Sequence, residues 1–335
     1  MKKNYVIDSI DREILKKQND AGKKAREDVN DILADQFKVS YFISGNSSFG
    51  KLWNYLRLIF QIRFRSQNVV LQYPFDTKES LNKVSSRWLP KKCIVVIHDL
   101  VSLREGKGTS EIQAEIQFLN HFQTLITHNP KMSSWLRDQG CTAHMVELGI
   151  FDYLVEGKIE KETQRKEAIA FAGNLSPVKS QFLYDIPTLP LKLDAYGNGF
   201  VEDSQNPNLE YMGSFPPEKL PVSLNEKFGL VWDGVSINEC AGNMGNYLRY
   251  NNPHKTSLYL VSGLPVIIWK QAALASFIEE NQLGLTVASL NDLPDALAQL
   301  SAEQYDQMVK NTLAISARLQ EGYYLKHAIE KCLED

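Results

Sequence analysis

The chemistry available to this chain gathers at a few turns between apolar runs. His254-Lys255-Thr256 follows Asn251-Asn252-Pro253 and opens an apolar, helix-like run ahead of Gly263 and the strand-like Pro265–Trp269. A lysine and a hydroxyl at a helix entrance join backbone N–H groups that have no partner inside the helix. Such a combination suits a phosphate or diphosphate. Upstream, Asp233 ends another apolar run. Gly234, Gly242, Gly245 and the amides Asn243, Asn246, Asn251 and Asn252 follow, the residue types a loop needs to wrap a polar ligand. The bland reading is a solvated lysine after a proline turn. Neither a Walker A loop nor a dinucleotide fingerprint is present, since Gly242–Tyr247 has the glycines but does not directly follow a strand.

Gly173 and Asn174 close a second apolar run and lead through Ser176 and Pro177 to Lys179, again a turn that could meet an anion. Tyr196 and Tyr211 precede glycines and could stack on a planar base, although packing alone would explain either. Earlier, the run Cys93–Ile97 delivers His98 and Asp99 where a parallel strand would end. Either side chain could take a proton from an acceptor hydroxyl, and the sequence leaves open which one does. The loops at 19–25 and 43–51 could line the same site. His121, His128, His144 and His327 lack ligand spacing and read as structural or surface residues. No D-x-D occurs, and Cys93, Cys141, Cys240 and Cys332 are scattered, so no metal or cofactor is expected.

These turns need a framework. Short apolar runs at 5–9, 39–43, 69–73, 93–97, 124–128 and 143–148 alternate with amphipathic segments, and the pattern restarts at 168–173, 192–197, 211–213, 228–232, 265–269 and 285–289. That is the pattern of an α/β protein with two doubly wound, Rossmann-like domains, whose ligands bind beyond the carboxyl ends of the strands in a cleft that the domains face. The charged stretch 155–168 reads as the linker. The expected domains are 1–155 and 156–315, with a terminal helix from about 316 to 335. Asn129, Pro130 and Gly140 predict a capped helix between them.

Composition narrows the classes. The chain has 335 residues, is 43% hydrophobic and carries a formal net charge of −3, which gives no global drive toward nucleic acid. The start has no leader-like apolar stretch. The longest apolar candidate, Leu52–Phe64, is interrupted by Arg57, Gln61 and Arg63, so no membrane span is expected. A cytoplasmic protein with reduced thiols is the expectation.

The segments 19–29, 96–104, 127–140, 171–180, 232–234 and 251–269 resemble GT-B glycosyltransferases. More closely, they resemble the accessory glucosyltransferases that extend glycans on serine-rich repeat adhesins of Gram-positive bacteria, relatives of galactofuranosyltransferase-type enzymes. The resemblance implies transfer of glucose from UDP-glucose to N-acetylglucosamine already linked to Ser or Thr of an adhesin, without metal. UDP-N-acetylglucosamine and UDP-galactofuranose are alternative donors. It implies acceptor binding by domain 1–155 and nucleotide-sugar binding by domain 156–315, with the terminal helix crossing back to the first, and a homo-oligomer, a tetramer. Gly173, Asn174, Lys179, Tyr211, Asn252, Lys255 and Thr256 would sit at the donor, beside Asn246 of the amide loop, with His98 and Asp99 at the acceptor. The glutamate pair of retaining relatives is missing near Lys255, which points to inversion. A different class, a non-catalytic subunit that binds sugar nucleotide or glycopeptide and stabilises a partner transferase, would be free to lose either the His98-Asp99 pair or Lys255; this chain has both.

Overall fold

The computed structural model describes residues 3–10, 21–43, 53, 56–57, 59–60, 62–64, 66–74, 89–90, 92–157, 165–186, 192–202 and 206–334. Loop 43–51 lies outside these beyond Ile43, as do the first residues of loop 19–25 and the middle of the expected linker. The chain divides into two compact units, 1–149 with 323–335, and 150–322.

The first unit is built on strands β1 (Lys3–Ile10), β2 (Lys38–Ile43), β3 (Ser66–Tyr73), β4 (Ile94–Ile97), β5 (Thr124–Thr127) and β6 (His144–Glu147), all parallel in the order β2-β1-β3-β4-β5-β6. β4 is buried along its whole length, as a parallel strand covered on both faces must be, which is why Ile94–Ile97 reads as an unbroken apolar run. Helix Pro130–Asp138 starts as its residues dictate: Asn129 accepts the N–H of Met132 at 3.0 Å and Pro130 needs no donor. Helix Tyr323–Glu334 packs on helix Ala21–Leu33 and on β6, burying Leu325, Ala328, Ile329 and Cys332.

The second unit repeats the plan with β7 (Lys166–Ala172), β8 (Leu193–Tyr196), β9 (Leu209–Gly213), β10 (Glu226–Val231), β11 (Val266–Trp269) and β12 (Gly284–Val287), parallel in the order β12-β11-β10-β7-β8-β9. From β7 the chain winds outward through β8 and β9. It then returns to the other side of β7 as β10 and winds outward again. The crevice past the carboxyl ends of β7 and β10 is therefore the topological switch point of this sheet.

The unit limits differ from those expected. Residues 150–153 belong to the second unit because Ser257 donates to the Phe151 carbonyl at 2.6 Å, Tyr153 N–H to Leu319, and the Tyr153 hydroxyl to Pro217. The long helix Ala302–Gln320 also stays there, with Ser316 donating to the Val261 carbonyl at 2.9 Å. The returning segment thus starts at Tyr323, not near 316. The expected linker also ends early, because Lys166 and Glu167 open β7. Their charges are held by Asp194 and Glu210, and by Lys227.

Candidate active site

In the second unit the switch point is shaped by a glycine and a tyrosine. Gly229 of β10 carries no side chain, and the Tyr259 ring occupies that space; an added Cβ would meet the ring at 2.1 Å. The Tyr259 oxygen then accepts the N–H of Ala172, the last residue of β7, at 2.7 Å. Helix His254–Val261 is thereby seated across β7 and β10, and its first turn carries Lys255 to the strand ends. Lys255 Nζ lies 2.7 Å from Asp233 Oδ1, donates to the Trp232 carbonyl at 3.3 Å, and sits 4.6 Å over the Phe171 ring. Both members of the pair are mostly covered, at 15% and 20% side-chain exposure, so their attraction is screened less than that of a surface pair.

Gly173 adjoins this pair: a Cβ there would stand 3.9 Å from Lys255 Nζ. The Gly173 carbonyl also comes so close to Gly197 that a Cβ on Gly197, whose φ is +141°, would meet it at 1.8 Å. The two strand-end loops can approach one another here only because Gly197 carries no side chain. Asn174 is exposed and its Oδ1 accepts the N–H of Ser176 at 3.0 Å, while Lys179 is exposed on the short helix that follows. Tyr211 projects from the edge strand β9, donates to the Gly197 carbonyl at 3.1 Å and stacks on Phe200 at 4.7 Å, within 5° of parallel. Gly173, Asn174, Lys255 and Tyr211 thus gather around the ends of β7, β8 and β10.

The other expected donor residues are placed differently. Thr256 is fully buried on the side of its helix turned inward with Tyr259 and Leu260, so its hydroxyl is not presented to a ligand. Asn252 is 3% exposed in the segment before the helix, while Asn246 is exposed on helix Gly242–Tyr247.

In the first unit, His98 and Asp99 follow β4 as expected. His98 Nε2 lies 2.7 Å from Gln72 Oε1, and the Gln72 amide in turn donates to Asn30 Oδ1 at 2.8 Å. Asn30 donates to Asp8 Oδ2 at 3.1 Å, and Arg26 binds Asp8 Oδ1 at 2.7 Å. With the Gln72 nitrogen donating, its oxygen must accept, so Nε2 of His98 is the donor to it, and Nδ1 is buried. The Asp99 side chain is 29% exposed, and its Oδ2 is held by Arg104 at 2.7 Å.

The turn carrying these residues is fixed from beneath. Glu115 accepts the Tyr73 hydroxyl at 2.6 Å, the N–H of Val101 at 2.8 Å and that of Ser102 at 3.1 Å, neutralising the start of helix Val101–Arg104. His128, fully buried, donates to the Ile97 carbonyl at 3.0 Å, and burial pushes it down to about 4, so it stays neutral as a brace. Among the described residues, no group of three or more His, Cys, Asp or Glu could hold a metal ion. The four cysteines are free and buried.

Sequence reading missed Gly229, Tyr259, Glu115 and the chain from Gln72 to Arg26. Only strand order brings these residues together.

Known proteins give this geometry a family. The chain matches the glucosyltransferase 3-like N-terminal domain over residues 5–150 and the glucosyltransferase 3-like C-terminal domain over residues 169–332. It is 33% identical to the beta-1,6-galactofuranosyltransferase WbbI of Escherichia coli (strain K12), over 95% of this chain and 96% of that protein. It is 27% identical to glucosyltransferase 3 of Streptococcus gordonii, over 72% and 70% respectively. Among solved structures, sucrose-phosphate synthase from Thermosynechococcus elongatus aligns with a TM-score of 0.66 at 11% identity, covering 99% of this chain and 97% of that one. Anabaena HepE, solved with UDP and glucose, aligns at 0.63 and 11%, covering 99% and 100%. The fold is GT-B.

Proposed function

Since the chain belongs to the glucosyltransferase 3-like family and is a glycosyltransferase, we propose that it moves a hexosyl group from a UDP-sugar to a hydroxyl of an acceptor sugar. The observation that carries this reading is Lys255, held at the switch point of the second sheet beside Gly173 and the first turn of its helix. A diphosphate seated there meets a full positive charge and the positive end of the helix dipole. Asp99 takes the proton of the acceptor hydroxyl: its side chain is 29% exposed, whereas His98 Nε2 is engaged by Gln72 and His98 Nδ1 is buried. The acceptor oxygen bonds to the anomeric carbon as the bond to UDP breaks. The electron pair leaves on the β-phosphate oxygen, where Lys255 stabilises it without a metal or cofactor. A single displacement of this kind inverts the anomeric configuration.

For the substrates, the reading is UDP-glucose as donor and N-acetylglucosamine on Ser or Thr of a serine-rich repeat adhesin as acceptor, supported by the likeness to the streptococcal glucosyltransferases 3. A second donor, UDP-galactofuranose, is favoured by the higher identity and nearly complete coverage of the Escherichia coli galactofuranosyltransferase. Purified protein is offered UDP-glucose, UDP-N-acetylglucosamine and UDP-galactofuranose, each with an N-acetylglucosaminyl peptide and with a free glycoside acceptor, and products are read by mass spectrometry with and without chelator. A glucosylated peptide, formed equally with chelator, is expected. Galactofuranosyl product alone selects the second donor. Turnover that stops with chelator and returns with Mg²⁺ overturns the metal-free step.

A further inference from the structure

The apolar segment too interrupted to span a membrane has a second property that the transferase reading does not use. Among the described residues between 53 and 64, which have helical backbone, Trp53, Leu56, Phe60 and Phe64 are exposed at 63%, 47%, 53% and 61%. Steps of three and four residues put all of them on one helix face, while Ile59 and Ile62 are buried on the other. Phe60 and Phe64 lie with ring centroids 5.0 Å apart, so these two exposed rings form one aromatic patch. Arg57 and Arg63 are exposed along its flanks.

The charge around this face is one-sided. From Gln36 to Phe75 the sequence has no Asp or Glu, yet it has Lys38, Lys51, Arg57, Arg63 and Arg65. The whole chain has 40 acidic residues in 335 and is net negative, so this segment stands against the trend of the protein. A second copy of the chain is a poor occupant, because two such faces brought together would oppose their arginines with no local acid to pair them. No helix among the described residues is long and apolar enough to cross a membrane. Aromatic and leucine side chains flanked by arginine are, however, what a helix needs to lie in the plane of a bilayer surface, with rings at the headgroup level and cations on anionic phosphates.

We propose that this face docks the protein on the surface of an anionic membrane. The inference concerns the first unit's outer surface and does not depend on which donor or acceptor the enzyme uses.

Full-length protein is sedimented with vesicles of phosphatidylcholine alone and of phosphatidylcholine with an equal part of phosphatidylglycerol. Binding to the anionic vesicles, little to the neutral ones, and release by raised salt are expected. Phe60→Ser with Phe64→Ser, and separately Arg57→Glu with Arg63→Glu, each reduce binding roughly tenfold or more. Melting curves check that the variants fold, and the charge variant decides alone if the apolar variant does not. Failure of the native protein to bind anionic vesicles overturns the proposal, as does binding that the folded variants leave unchanged. So does an oligomer in solution that Phe60→Ser with Phe64→Ser dissociates while vesicle binding persists, which would make the face a contact between copies.

Discussion

Lys255 and Asp233 stand 22 residues apart in sequence and 2.7 Å apart in the structure, Nζ to Oδ1, at the end of β10. The carboxylate occupies the cation that a diphosphate would need. On the proposed reading Asp233 competes with the donor for Lys255, and a diphosphate of greater charge would displace it.

Lys255→Ala is expected to weaken UDP binding by roughly 1.5–3 kcal/mol, the range for a hydrogen bond to a charged group. Asp233→Asn is expected to do the opposite and tighten UDP, because the competing charge is gone while the lysine remains. Calorimetry on both variants and on the double variant checks this. If Asp233→Asn weakens UDP as much as Lys255→Ala does, Asp233 is itself a ligand contact and the competition account is wrong.

For the acceptor side, Asp99→Asn is expected to lower kcat by about 10²–10⁴-fold, the range for loss of a general base, with the affinity for UDP unchanged. His98→Asn should cost much less in kcat if His98 only holds the turn through Gln72. Steady-state kinetics beside UDP titration separates the two. A larger loss for His98→Asn than for Asp99→Asn, with both proteins folded, would exchange their roles.

A pH dependence follows from the other end of the second sheet. Lys166, Asp194, Glu210 and Glu226 lie at or next to the starts of β7, β8, β9 and β10. Glu226 is 1% exposed and accepts the Tyr196 hydroxyl at 2.6 Å. Burial, with the neighbouring Asp194, pushes its carboxyl up to about 7. The folded state therefore keeps a proton that the unfolded chain releases at ordinary carboxylate pH. This contribution to stability is complete below about pH 4.5 and is lost as pH rises to about 7, an effect of the order of 3 kcal/mol. Melting temperature should fall across that window in the native protein, and the fall should be much shallower in Glu226→Gln. An equal slope in both would place the titration elsewhere.

The strands were legible because each is a short apolar run closed by glycine, proline or a polar turn, and all twelve expected runs are strands of the two sheets. Lys166-Glu167 was read as linker because charge signals solvent, whereas here Asp194, Glu210 and Lys227 make it the start of a strand. The tripeptide His254-Lys255-Thr256 marked the helix entrance but not its rotation. Composition does not say that Thr256 faces inward with Tyr259. The pairing of Lys255 with Asp233 and the seat of Tyr259 on Gly229 depend on β10 lying beside β7, which no spacing along the chain encodes.

The last prediction concerns helix Tyr323–Glu334. It follows the second unit in sequence but buries Leu325, Ala328, Ile329 and Cys332 in the first, against helix Ala21–Leu33 and β6. Twelve residues are too few for a stable isolated helix in water, so its formation and the cover it gives to those neighbours depend on each other. Ile329→Ala, a buried large-to-small change, is expected to cost about 2–5 kcal/mol of stability. Deleting 323–335 should lower stability further and expose apolar surface on the first unit, with the loss of turnover following unfolding of that unit rather than loss of UDP binding, which the proposed function assigns to the second. Thermal melts, dye binding and UDP calorimetry on both variants check the order of these effects. If the deletion leaves the melting temperature, solution size by light scattering and turnover as in the full chain, the helix is an appendage and its packing carries none of the first unit's stability.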